Sequence, residues 1–182
     1  MDRDVLTSVL EAILVTSGRP VQIVLLAQAL GEEAPEESEI EAALEGLRER
    51  LDRSDTGIRV EKVAGGWRCT TPPQLDPYLK AFHGRVSRQK LSQAGLEVLA
   101  IIGYRQPVTL PEINFIRGVG STTVVRTLLE RKLIRMAGRK NVVGKPFLYR
   151  TTEEFLVHFG LDRPEDLPEP EDLVSADEAP IE

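Results

Sequence analysis

Apolar residues Val5, Leu6, Val9, Leu10, Ile13 and Leu14 recur at spacings of three and four, which keeps one face of a helix apolar until Ser17-Gly18-Arg19-Pro20 stops it. A short second helix follows, roughly 23–30, closed by Gly31. Ser38 then stands three residues before Glu41 as a capping box, and Ile40, Ala43, Leu44, Leu47 and Leu51 carry the apolar face onward. After Ser54-Asp55-Thr56-Gly57 the period changes to alternation in 58–63, and Ala64-Gly65-Gly66 separates it from Trp67-Arg68-Cys69-Thr70-Thr71. This predicts a β-hairpin.

The same order returns in the second half. After a connecting helix at 75–82 and a polar linker, residues 91–104 read as a helix started by Ser92 and ended by Gln106-Pro107. Thr109 and Glu112 form a capping box around Pro111, which a first turn tolerates, and the helix runs to about Ile116. Arg117-Gly118-Val119-Gly120 is a tight turn with Gly118 suited to a left-handed cap, and Ser121 opens a helix whose core side holds Val125, Leu128, Leu129 and Leu133. Strands are expected at 134–137 and 147–150 around a loop 138–146, then a last helix capped by Thr151 with Glu154, bearing Phe155, Leu156 and Phe159 and ended by Gly160.

Three helices and a hairpin, twice, is the order of tandem winged-helix (helix-turn-helix) domains: mainly α with a small β-hairpin in each. The expected boundaries are an N-terminal domain over 1–82, a linker over 83–90, a C-terminal domain over 91–163 and a tail over 164–182.

Charge sharpens this division. The formal net charge is −6 over 182 residues, yet segments 1–82, 83–163 and 164–182 carry −6, +8 and −8. The last segment is rich in proline and acid and poor in apolar residues, a composition that does not offset the entropy of ordering, so a disordered tail is expected. One cysteine, Cys69, excludes an internal disulfide, and with only His83 and His158 beside it no Cys/His zinc cluster forms. No apolar run reaches the length of a membrane span and Met1-Asp2-Arg3-Asp4 lacks a basic leader start, so a cytoplasmic protein is expected.

Candidate chemistry is thin. Gly138 to Pro146 imitates a phosphate-binding loop but has five residues between its glycines where the motif needs four, Pro146 where Ser or Thr should follow the lysine, and a hairpin setting. Gly118-Val119-Gly120 suits a helix-turn-helix corner better than a dinucleotide site. Cys69 reads as a small buried strand thiol, and neither histidine is placed beside a nucleophile. No catalytic residue, metal site or cofactor is expected, and the protein reads as a non-enzyme.

Residues 91–109, LSQAGLEVLAIIGYRQPVT, resemble the bacterial segregation and condensation protein B (ScpB) family. The likeness continues through Glu112-Ile113, Ile116 to Val119, Thr127 to Arg131, Gly138-Arg139-Lys140, Thr151-Thr152 and Phe159-Gly160-Leu161. In the first half it takes in Glu11 to Leu14, Ser17 to Val21, Leu26 to Leu30 and Val63 to Arg68, so it covers roughly 5–161. Gly95 and Gly103 stand where the family more usually has alanine, a change that lowers helix propensity by somewhat under ~1 kcal/mol each.

The resemblance implies a non-enzymatic subunit of the SMC–kleisin complex, condensin-like, that acts in chromosome condensation and segregation during cell division and is nucleoid-associated. It further implies a homodimer formed mainly through N-terminal domains that binds the kleisin ScpA, and through it SMC. Small domains bury only about 60% of their unfolded surface, so apolar ridges are left for such partners. Candidates for kleisin contact are Tyr104, Ile116, Val119, Phe147 and Tyr149 with Arg117 and Arg139 as a charged rim; candidates for dimerisation are Val5, Val9, Ile13 and Trp67. Each can equally serve packing within its own domain, and for Ile13 that is the stronger reading. The competing function is a winged-helix DNA-binding transcriptional regulator that uses the basic C-terminal domain, in which Ser121, Thr122, Thr123, Arg126, Arg131 and Lys132 face the groove and Arg139, Lys140 and Lys145 lie on the wing. A weak DNA contact through that domain is compatible with either function, although the acidic third helix of the first half repels phosphate.

Overall fold

The computed structural model describes residues 1–53, 55–83 and 90–169. It separates into two compact units, Met1–Gln89 and Lys90–Glu182, and each is a winged helix, so the chain is a tandem winged-helix protein of helices with small antiparallel sheets.

In the first unit α1 (Arg3–Ser17) starts at Asp2, whose carboxylate accepts from the Asp4 N–H at 3.1 Å, and stops at Gly18 in the left-handed conformation. Helix α2 (Ile23–Leu30) precedes α3 (Glu37–Arg53). The third helix begins earlier than the Ser38–Glu41 capping box suggests. The Glu36 carbonyl already accepts from Glu39 and Ile40, and the Glu39 carboxylate reaches back to the Glu36 N–H at 3.3 Å, so Ser38 lies inside the first turn.

Leu6, Leu10 and Leu14 of α1, Leu26 of α2 and Ile40, Leu44, Leu47 and Leu51 of α3 are buried together with Val60 and Trp67. Each such leucine contributes about 1.5–3 kcal/mol of burial. The hairpin pairs β1 (Arg59–Val63) with β2 (Gly66–Thr70) in the register Lys62↔Trp67 and Val63↔Gly66. Val21, on the turn between α1 and α2, adds a short third rung: its N–H donates to the Trp67 carbonyl at 2.8 Å and the Trp67 N–H returns to Val21 at 2.9 Å. Helix α4 (Asp76–Phe82) follows.

The second unit repeats the plan with a fuller sheet. Helix α5 (Gln93–Arg105) is capped by Ser92, whose hydroxyl accepts from the Gly95 N–H at 3.2 Å. Two residues, β3 (Val108–Thr109), then pair with β5 (Phe147–Thr151), and β5 with β4 (Ile134–Arg139), giving the order β3-β5-β4. Between them, α6 (Leu110–Arg117) carries the expected Thr109–Glu112 capping box with Gly118 left-handed behind it, and α7 (Thr122–Glu130) follows the corner.

Helix α8 (Glu153–Phe159) is capped by Thr152, whose hydroxyl accepts from the Phe155 N–H at 3.2 Å. Thr151, expected in that role, is instead the buried last residue of β5. Its N–H and hydroxyl both donate to the Gln106 side-chain oxygen, at 2.8 and 2.9 Å, which leaves the cap to its neighbour. The loop that imitates a phosphate-binding segment closes the β4–β5 hairpin, with the Lys140 N–H on the Pro146 carbonyl at 2.9 Å.

The linker residues 84–89 and the tail residues 170–182 lie outside the described residues. The six residues 164–169, assigned to the unstructured tail by composition, are ordered. Pro164–Asp166 form a 3₁₀ turn closed by the Asp166 carboxylate on the Arg163 N–H at 2.8 Å, and Leu167 is half-buried.

Candidate partner-binding surfaces

The end of α6 presents Phe115 and Ile116 to solvent. A helix of eight residues with a single buried position, Ile113, turns the residue two places on to its opposite side, and Phe115 is accordingly 89% exposed. Ile116 beside it and Val119 in the corner are exposed as well. Phe115 and Ile116 border a depression of about 330 Å³ whose other walls are Arg105, Pro107, Val108 and Glu112. Ile116 and Val119 are among the residues nominated from the sequence, whereas Phe115 is not. The helical period around Ile113 was the signal available for it.

The corner itself is held by Arg117. Its side chain is only 10% exposed, with Nη2 2.9 Å from the Glu97 carboxylate on α5 and Nη1 donating to the Ser121 hydroxyl at 3.0 Å. Ser121 is fully buried and its N–H donates to the Asn114 side-chain oxygen at 2.8 Å. Arg117 is thus an internal brace and not the rim charge expected of it, because the Glu97 carboxylate and the corner hydroxyl take up its donors. Tyr149 also leaves the set of surface residues. On the central strand, with Val108 and Met136 as its neighbours in register, it is buried in the core.

Phe147 and Arg139 remain on the wing and come together. The guanidinium lies 3.8 Å from the ring centroid and Nη1 donates to the Lys145 carbonyl at 2.9 Å. Tyr104, at the end of α5, is 39% exposed, and its hydroxyl donates to the Pro168 carbonyl at 2.7 Å.

Several basic groups considered for nucleic acid have acidic neighbours. Arg126 pairs with Glu130 at 3.0 Å, and Lys140 reaches across to Glu112. That lysine, with the Thr109 hydroxyl and N–H, holds the Glu112 carboxyl down at about 2. Arg135 and Arg150 face each other across β4 and β5, both exposed, beside Pro107 and Met136.

In the first unit α1 separates its apolar stripe in two. Leu6, Leu10 and Leu14 are buried, Val5 is exposed, Val9 is half-buried and Ile13 packs against the core edge. Helix α2 buries only Leu26, leaving Val24 and Leu25 exposed, two residues the sequence reading had not singled out. Trp67, proposed there for dimerisation, is fully buried between the hairpin and the helices, so it cannot form a contact surface. Its indole N–H has no hydrogen-bond partner among the described residues.

The Cys69 thiol is half-buried, and burial, with the Glu11 charge, pushes its pKa up, the reverse of what a nucleophile needs. Among the described residues no group of three His, Cys, Asp or Glu side chains is placed to hold a metal ion, and no helix is long and apolar enough to cross a membrane.

The model of the family described as segregation and condensation complex subunit ScpB matches residues 8–170. Segregation and condensation protein B of Moorella thermoacetica is 41% identical over 175 residues, covering 96% of this chain and 88% of the relative. Among solved structures, ScpB from Mycobacterium tuberculosis is 37% identical over 88% of this chain and 98% of that one, with a TM-score of 0.43. A dimer of the ScpB N-terminal domain complexed with ScpA peptide is 26% identical over 42% of this chain and 91% of that one, with a TM-score of 0.38.

Proposed function

This chain belongs to the family of segregation and condensation complex subunit ScpB, and from that premise we propose that it is a non-catalytic homodimeric adaptor that binds the kleisin ScpA. Through the kleisin it joins SMC in the cytoplasm, at the nucleoid, where the complex condenses and partitions chromosomes. The observation that carries the reading is the apolar surface left after each core is filled: Phe115, Ile116 and Val119 in the second unit, Val5, Val24 and Leu25 in the first. Residues this apolar stay in water at a cost unless a partner covers them.

The second-unit surface takes the kleisin, with the Arg139–Phe147 pair of the wing and Tyr104 as further contacts. The first-unit surface of α1 and α2, with Val9 and Ile13 at its edge, serves the dimer. Regulation of transcription through DNA has less support, because Arg126 and Lys140 are already paired with carboxylates.

Calorimetric titration of the purified chain with the central segment of the kleisin from the same genome tests the proposal, with sedimentation equilibrium for the dimer. Saturable binding below micromolar, insensitive to salt, is expected. A folded chain that fails to bind at micromolar concentration, or binds duplex DNA more tightly with an affinity falling steeply in salt, overturns it.

A further inference from the structure

The chain contains the tetrapeptide Pro-Glu-Asp-Leu twice, at Pro164–Leu167 and again at Pro170–Leu173, six residues apart. The first copy is docked. Its 3₁₀ turn delivers Leu167 to a notch on the second unit floored by Gly103 of α5 and bordered by Phe155 of α8. A methyl group at Gly103 would stand 3.2 Å from Leu167 Cδ1 and 3.6 Å from Phe155 Cζ, so the notch has its depth because residue 103 has no side chain. The next carbonyl, that of Pro168, accepts from the Tyr104 hydroxyl at 2.7 Å. A buried glycine inside a helix is otherwise unfavourable, and here, in the last turn of α5, Leu167 approaches the place that a side chain would take.

Of these contacts only the Arg163–Asp166 ion pair, at 3.5 Å, is private to the first copy, since Glu169 stands in the arginine's place in the second. The turn is closed by a backbone N–H bonded to the aspartate three residues on, which Glu169 and Asp172 can reproduce. The leucine recurs, and the hydroxyl of Tyr104 needs only a main-chain carbonyl, which Val174 has. We propose that the notch at Gly103, Tyr104 and Phe155 is a docking site for a leucine-centred acidic turn, and that Leu167 and Leu173 exchange in it. The path from Leu161, whose N–H is fixed on the Leu156 carbonyl, is six residues to Leu167 and twelve to Leu173. Doubling such a loop favours the first copy by only about threefold. Exchange releases Glu165 and Asp166 from the docked turn and changes which part of the acidic segment lies against the basic unit. This inference shares Tyr104 with the partner surface proposed above but does not rest on that reading.

The test is the amide resonance of Gly103 in the full-length ¹⁵N-labelled chain, compared across Leu167→Ala, Leu173→Ala and the double variant. Leu167 is not one of the buried core residues, and the remaining spectrum reports whether the fold is kept in each variant. Leu173→Ala is expected to leave the resonance near its wild-type position and Leu167→Ala to move it part of the way. The double variant should move it fully, and a synthetic peptide of residues 169–175 added to that variant should return it. A Leu167→Ala spectrum identical to that of the double variant, no shift in the double variant, or no response to the peptide would each overturn the proposal.

Discussion

A methyl group placed on Gly66 would stand 2.9 Å from the carbonyl carbon of Val21 and 3.0 Å from its nitrogen. The obstacle is backbone, and it is the backbone that bridges to Trp67, so neither side can yield. Gly66→Ala is expected to destabilise the first unit by about 3 kcal/mol, lowering its midpoint by more than about 10 °C. Fluorescence of Trp67, the only tryptophan, follows this unit alone during unfolding. A variant that melts with the wild type would show that the Val21 rung can move.

Arg117 and Arg139 were assigned the same rim role, and the structure gives them different fates. Arg117→Ala removes charge-assisted bonds to Glu97 and the buried Ser121 and is expected to cost about 2 kcal/mol in the second unit. Arg139→Ala, on an exposed wing, should change stability by less than about 0.5 kcal/mol. Urea unfolding monitored by hydrogen exchange of α5 and α6 separates the two, and equal losses would contradict the brace.

What the sequence revealed and what it hid divide along physical lines. Helix periods and caps are local, so Gly18, Ser92, the Thr109–Glu112 box and Gly118 were all legible. Which face of a short strand meets a core is not local. Trp67 and Tyr149 stay open between surface and core in the sequence because alternation gives two faces without saying which is covered, and only packing against α1, α3 or α5 decides. Strand β3 escaped because two residues beside a proline carry no period. Arg117 was misjudged because its acceptor Glu97 is twenty residues away in the chain. The docked turn at 164–169 was hidden by its composition. Its order comes from Leu167 at Gly103, the Asp166 closure of the turn and the Tyr104–Pro168 hydrogen bond, none of which composition reveals.

For the kleisin contact the sharpest substitution is Phe115→Asp. The side chain makes almost no use of its own domain, so stability should hold, whereas affinity for the kleisin segment should fall roughly thirtyfold, the effect of losing about 2 kcal/mol at a central contact. Calorimetry alongside a thermal melt checks both. Unchanged affinity would remove α6 from the interface.

Acid should weaken the second unit through Glu112. Its carboxyl is held at about 2, below the ordinary 4.5, by Lys140 and Thr109. The folded form therefore binds this proton less readily than the unfolded chain. The associated stability is present above about pH 4.5 and is lost as the pH falls towards 2. Glu112→Gln should flatten the decline across that window in pH-dependent melts, and an unaltered acid limb would show that the pair contributes nothing there. The group is largely open to solvent, so the effect is a modest one.

The stacking of Arg139 on Phe147, 3.8 Å from ion to ring, bears on the entropy of association. An aromatic ring already restrained by its neighbour has few rotamers left to surrender, whereas Phe115, almost wholly in water, surrenders its own on contact. A partner covering the wing should therefore bind with a smaller entropic penalty than one covering α6. Arg139→Ala should enlarge that penalty while leaving the enthalpy of the contact at Phe115 as it was.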